Sequence, residues 1–262
     1  MRSRIVRIIL PVLTAGMLYA EVGAPQIGVV RCSDGSVRAV YGLAANFIVA
    51  SKPFASADAV SFSDRAGLMA KNGTIRLVKA DGVALAKYES HESKPVLNVD
   101  GDAESAIAWL PSEHALLRWT SAGFRLYPLA PLDGRVTSLK ADGPDRAQLL
   151  ILNNDGSTSR ATATLSTGEL VGADAIPGAS GPAFAQQSAL ISHEPKGLAI
   201  ETANGLRQTV SVPGDVTIER MSSEWLHLSS VSTNQDWALH VAGLQAELFV
   251  LPTVQAREEA AK

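Results

Sequence analysis

The densest chemistry-bearing stretch of the chain is Asn98-Val99-Asp100-Gly101-Asp102-Ala103-Glu104. Oxygen ligands at alternate positions can wrap a calcium ion. A helix–loop–helix calcium loop opening at Asn98 would need Gly where Ala103 stands and a bidentate Glu where Trp109 stands. The sequence offers neither, so a calcium loop of another type and a solvated turn are the two readings. Asp100, Asp102 and Glu104 are accordingly candidates for contact with a ligand or partner. Trp109 and Trp119 join them, because an indole ring supplies a large contact area with one polar edge. Buried between sheets, the same rings would serve packing instead.

Other chemistries find little support. Gly178-Ala179-Ser180-Gly181 resembles a nucleophile elbow, but Pro182 stands where the last Gly belongs. His91, His114, His193, His227 and His240 are far apart, and none lies at zinc-site spacing. No Gly-rich phosphate loop opens a helix. The sequence therefore implies no cofactor beyond the calcium alternative. It names no catalytic residue and leaves enzymatic activity open.

The elements that would position these residues are short strands. Asp-Gly or Asn-Gly begins at Asp34, Asn72, Asp81, Asp100, Asp133, Asp142, Asp155 and Asn204. Each reads as a tight reversal of the two-residue type I′ kind, flanked by apolar runs. Runs such as Gln148-Leu149-Leu150-Ile151-Leu152 and Leu198-Ala199-Ile200-Glu201 recur, with little 3.6-residue periodicity. They group into units beginning near Ala59, Ser105, Val136, Ala189 and Val216, with Gly28 to Ala50 supplying a sixth. A period of about 40 residues with three or four strands is that of a propeller blade. The expected fold is all-β, a β-propeller of about six short blades. Tandem β-sandwiches are the alternative, with Gly172 to Pro182 as their linker; in the propeller that segment is a long loop between blades.

The ends differ from the middle. Arg2, Arg4 and Arg7 precede an uncharged run from Ile8 to Ala20, the layout of a signal peptide. The run is short for a spanning helix; left uncleaved it would be an anchor. The expected division is a signal peptide at 1–20, the β domain at 21–252 and a charged tail at 253–262. Export to the periplasm or the extracellular space follows, with no membrane insertion once the signal is removed. Losing three Arg takes the net charge from −3 to −6. That balance argues against nucleic acid, where basic patches supply the affinity. The one cysteine, Cys32, excludes an intrachain disulfide.

The strand triplets resemble the blades of YVTN-, NHL- and WD40-type propellers. The opening Val30 to Ala45 is similar to the start of a group of exported bacterial propeller-like proteins. Arg38 and Gly42-Leu43 match, while Ala44 and Ala45 replace an expected Pro-Gly. This resemblance brings no catalytic residues. It implies a binding or scaffold protein of the envelope that meets a protein partner through loops on one face. The alternatives are a carbohydrate-active hydrolase or lyase and a sugar-binding adhesion module. Asp100, Asp102 or Glu104 meeting a histidine in a deep pocket would favour the hydrolase or lyase.

Overall fold

The computed structural model describes residues 24–253, apart from 44, 203 and 244. The expected signal segment and the tail after Thr253 lie outside these residues. Within them the chain forms 24 strands and two single-turn 3-10 segments.

The strands fall into six antiparallel meanders. The first holds β1 (Gln26–Arg31), β2 (Ser36–Leu43), β3 (Asn46–Val49) and β4 (Ala55–Ser56), with β3 and β4 both pairing β2. The second runs β5 (Ala59–Phe62), β6 (Ala66–Lys71), β7 (Thr74–Lys79) and β8 (Ala84–Glu89). The third is β9 (Val96–Asn98), β10 (Ile107–Leu110), β11 (Ala115–Thr120) and β12 (Gly123–Pro128). The fourth is β13 (Arg135–Ala141), β14 (Arg146–Leu152), β15 (Ser157–Thr164) and β16 (Leu170–Ser180). The fifth is β17 (Ala183–Gln186), β18 (Ala189–Glu194), β19 (Gly197–Glu201) and β20 (Arg207–Val210). The sixth is β21 (Thr217–Arg220), β22 (Trp225–Ser230), β23 (Gln235–Ala242) and β24 (Gln245–Val250).

Strands β1, β5, β9, β13, β17 and β21 are innermost and approach one another around a hub. One parallel bridge, Arg220 to Ser61, links the sixth meander to the second there. The ring closes between sixth and first, where the Val29 amide donates to the Met221 carbonyl at 3.1 Å. This is an all-β propeller of six short blades, as the period near 40 suggests. Radial repetition leaves only short edges exposed.

Two unit boundaries differ from the sequence reading. The third blade opens at Val96 rather than Ser105, because three-residue β9 is too short to show periodicity. The fifth opens at Ala183 rather than Ala189, because Gly172 to Pro182 is not a plain loop. Most of it belongs to β16, an 11-residue outer strand.

The Asp-Gly turns are mostly not type I′. Among the six Asp-Gly turns only glycine takes positive φ, whereas Asn72 (48°) and Gly73 (75°) both do. At Asp34, Asp81 and Asp155 the carboxylate instead accepts the backbone N–H two residues on, at 2.8, 3.0 and 2.9 Å. That Asx bond is why Asp precedes Gly. Hydrogen bonds from Ser36 and from Ser157 hold the Asp34 and Asp155 carboxyls below their usual pKa.

Candidate functional site

The hub is built around Arg220, the last residue of β21. Its side chain is 1% exposed. It reaches three other blades besides its own. It is register-paired with Ser61, donates to Asp100 Oδ1 at 3.4 Å and to the Ala185 carbonyl at 2.9 Å, and its guanidinium lies 5.8 Å from the Phe184 ring centre. Burial pulls the Arg220 pKa down and Asp100 opposes that shift. An arginine keeps its proton even so, so the hub holds a fixed positive charge. Three buried polar atoms nearby or on it lack a protein partner: Arg220 Nε, Gln186 Oε1 and Asn98 Nδ2.

Phe184 also lines a concave mouth of about 710 Å³. Four blades supply it at the starts of β9, β13, β17 and β21. Its lining includes buried Val136, half-buried Phe184 and Ile218, half-buried His193, and the exposed charged residues Lys94, Arg135 and Asp215. Glu92, 7% exposed, braces one side. Burial alone would raise its pKa, but hydrogen bonds from the Ser112 and Lys94 amides and the Ser112 hydroxyl outweigh that and hold it low. Burial pushes the His193 pKa down, so its imidazole is neutral at pH 7. Asp215 is fixed by the Ser232 amide at 2.8 Å and the Ser230 hydroxyl at 2.8 Å.

The residues singled out in sequence take separate places. Asp100 meets Arg220, not a histidine. Asp102 caps the first 3-10 turn by accepting the Glu104 amide, and both side chains are exposed. Trp109 is 4% exposed and lies in the apolar core between the third and fourth blades. Trp119 is half-buried, its ring 5.2 Å from Phe124. Among the described residues no three His, Cys, Asp or Glu side chains gather in a metal-binding group. The five histidines stay apart: His227 is buried beside Glu219 and Asp236, and His240 stacks on Trp225 at 4.4 Å.

Sequence reasoning missed Arg220 and the mouth. A signal existed for the arginine. Ile218-Glu219-Arg220-Met221 sets two opposite charges inside an innermost strand, a place with little water. The mouth carried no such signal, since its residues come from four distant segments.

No helix among the described residues is long and apolar enough to cross a membrane. No family model matches the chain, and no curated protein matches it in sequence. Solved structures do resemble it. Over 88% of this chain and 93% of the other, it is similar to an Aleuria aurantia lectin solved with Fucα1-6GlcNAc, with TM-score 0.52 and 9% identity. It is also similar to PorZ, a surface component of the type-IX secretion system of Porphyromonas gingivalis. There the TM-score is 0.44 at 12% identity, over 87% of this chain and 38% of that one. The likeness to the lectin is one of fold alone, and it agrees with the ring of meanders: the chain is a β-propeller.

Proposed function

We propose that this protein is an exported, non-catalytic binding scaffold of the cell envelope that holds a protein partner at the hub mouth. The observation that carries this reading is the composition of the mouth. Buried or half-buried Val136, Phe184 and Ile218 line it together with half-buried His193 and exposed Lys94, Arg135 and Asp215. Protein interfaces draw on the same mix, apolar side chains at a desolvated centre and polar ones at the rim. The frame behind it is rigid, since Arg220 ties the second, third and fifth blades to the sixth. A preorganised concavity loses little entropy when a partner's side chain enters it.

The test is site-specific photo-crosslinking in envelope extracts. A crosslinker at Ile218 should give one stoichiometric protein adduct, and the same group at exposed Val83 on the outer rim should not. Ile218→Glu should abolish capture of that same protein by at least tenfold while leaving the thermal midpoint within a few degrees. Equal labelling from both positions would defeat the reading. So would capture that survives Ile218→Glu.

A further inference from the structure

The six blades have six seams, and five are sealed by apolar packing. Val29 and Phe62 belong to one core between first and second, and Leu77 and Leu117 to one between second and third. Trp109 and Leu149 share a core between third and fourth, Ile200 and Leu228 between fifth and sixth, and Val40 and Met221 between sixth and first. No apolar cluster among the described residues joins the fourth blade to the fifth. A cleft of about 560 Å³ lies there instead.

Strand alternation explains the open seam. In β14 and β15, Ala147, Leu149, Ile151, Ala161 and Ala163 point into the core shared with the third blade. The opposite face carries the cross-strand row Ser138, Leu150, Arg160, Asp174. Across the cleft stands the row Ala185, Leu190, Glu201. Near the hub two hydrogen bonds hold the walls together: Thr137 Oγ1 to the Ala183 carbonyl at 2.8 Å, and the Ala185 amide to Ser138 Oγ at 3.2 Å.

The outer wall is an insertion. Ser157 pairs with Ser180 and Ser159 with Ala175, so residues 176–179 have no place in the ladder. This bulge places Ile176 and Pro177 on the cleft and brings Gly178 toward β20, where a Cβ would stand 3.5 Å from Arg207 Nη1. It makes the fourth blade the longest repeat, 48 residues from Arg135 to Ala183 (183 − 135). Bulges of this kind re-aim side chains at sites.

Four charged side chains line the cleft, Lys140, Arg160, Asp174 and Glu201. Among the described residues none of them makes an ion pair or a side-chain hydrogen bond. Arg160 and Asp174 are direct register partners and still do not pair. Arg207, the register partner of Glu201, goes to Glu194 instead. Aliphatic side chains also line it: Ile176, Ala185 and Leu190 are half-buried, and Leu139 and Leu150 are nearly fully buried. A simple anion would satisfy only the two cations, and a cation only the two carboxylates. Hydroxyl groups both donate and accept, and a sugar ring adds an apolar C–H face for the aliphatic side chains. The volume is within the range of small-ligand sites.

We infer that the seam between the fourth and fifth blades is a binding site for a neutral mono- or disaccharide. Glu201 and Asp174 accept from its hydroxyls, and Arg160 and Lys140 donate to them. This site is separate from the hub mouth and does not rest on it.

The test is saturation-transfer NMR on the full chain. The probes are glucose, galactose, mannose, N-acetylglucosamine, lactose and chitobiose, with the zwitterion glycylglycine as the competing chemistry. At least one saccharide should bind. Glu201→Gln and Arg160→Ala should each weaken it by at least tenfold, with unchanged circular dichroism and thermal midpoint. Ile218→Glu at the mouth should leave it unchanged. Binding of glycylglycine alone, binding of no saccharide, or saccharide binding indifferent to both cleft variants would overturn the inference. Each of those results leaves the crosslinking test at Ile218 to stand or fall separately.

Discussion

The seam between the sixth and first blades and the seam between the fourth and fifth are built in opposite ways. At the first of these no strand among the described residues crosses from one blade to the other, and side-chain and backbone contacts join the two. Val30, Val40, Phe47, Met221, Ala238 and Leu251 pack there, and Phe47 meets Trp225 and Phe249 edge-on at 5.5 and 5.6 Å. Arg31 Nε reaches Glu219 Oε1 at 3.0 Å across it. At the fourth and fifth blades the chain runs straight from β16 through Gly181-Pro182 into β17. Covalent continuity keeps those blades adjacent without a shared core. A wet, charged face is tolerable where the backbone already holds the ring and ruinous where it does not.

The comparison breaks most sharply at Gly28. A Cβ there would lie 2.8 Å from the Met221 carbonyl oxygen and 2.9 Å from the Met221 Cβ. Backbone stands in the way, so the closing contact itself must move. Gly28→Val is expected to cost about 3 kcal/mol or more, the upper range for overpacking. Urea unfolding measures it. A shift in midpoint below that of a typical surface change would show that closure is looser than the contact implies.

Arg220→Ala is next. It removes a buried charge that ties four blades and leaves Gln186, Asn98 and the Ala185 carbonyl at an emptied hub. Asp100, with 34% side-chain exposure, stays partly hydrated. The cost is therefore at or below the low end for broken buried pairs, about 2–3 kcal/mol. Because the arginine joins seams on both sides of the ring, the unfolding transition should also broaden. A midpoint and slope equal to the parent would contradict its role as a hub.

These two residues also show what the sequence could and could not convey. Strand runs and Asp-Gly turns made the all-β meander readable, because local alternation and turn chemistry survive in any tertiary context. The turn type was misread, because the Asx bond from Asp34 or Asp155 stabilises a different reversal from the one Asn72-Gly73 makes. Trp109 could equally have served packing or recognition; only the third and fourth blades coming together buries it. The open seam had a local signal. Arg160-Ala161-Thr162-Ala163-Thr164 alternates polar and apolar in a third strand, where a propeller usually buries both faces. That alternation says one face is wet, but not which blade it faces.

His227 makes the closed seam pH-dependent. It is 3% exposed, with Nε2 2.9 Å from Asp236 Oδ1 and Nδ1 3.9 Å from Glu219 Oε2. Glu219 also takes Arg31, and Cys32 lies near Asp236 with its thiol pKa raised by burial. Burial alone would lower the histidine pKa, but the two carboxylates outweigh it and the net shift is upward. Its stabilising contribution is thus complete below the unfolded value of about 6.5 and fades as pH rises through the folded value. His193 works the other way. Its pKa is lowered by burial, so its cost appears as pH falls below the unfolded value. Thermal midpoints of the parent should drop as pH is raised from 6 to 9, and His227→Gln should flatten that drop. The same slope in His227→Gln would place the titrating group elsewhere.

The smallest effect sharpens the contrast from the open side. Arg160→Leu with Glu201→Leu takes one charge from each wall and makes the two facing rows more apolar, with Asp174 and Lys140 remaining. Neither side chain is paired in the parent, so no partner is orphaned. Each new leucine is only partly enclosed, so the net gain is about 1 kcal/mol, below the value for full burial. A rise in thermal midpoint together with loss of saccharide binding is the expected outcome. It would mean the chain keeps a less stable seam where a ligand enters, a trade between stability and function. A fall in midpoint would mean that the charged rows stabilise the cleft as it stands, and that the difference between the two seams is one of chemistry alone.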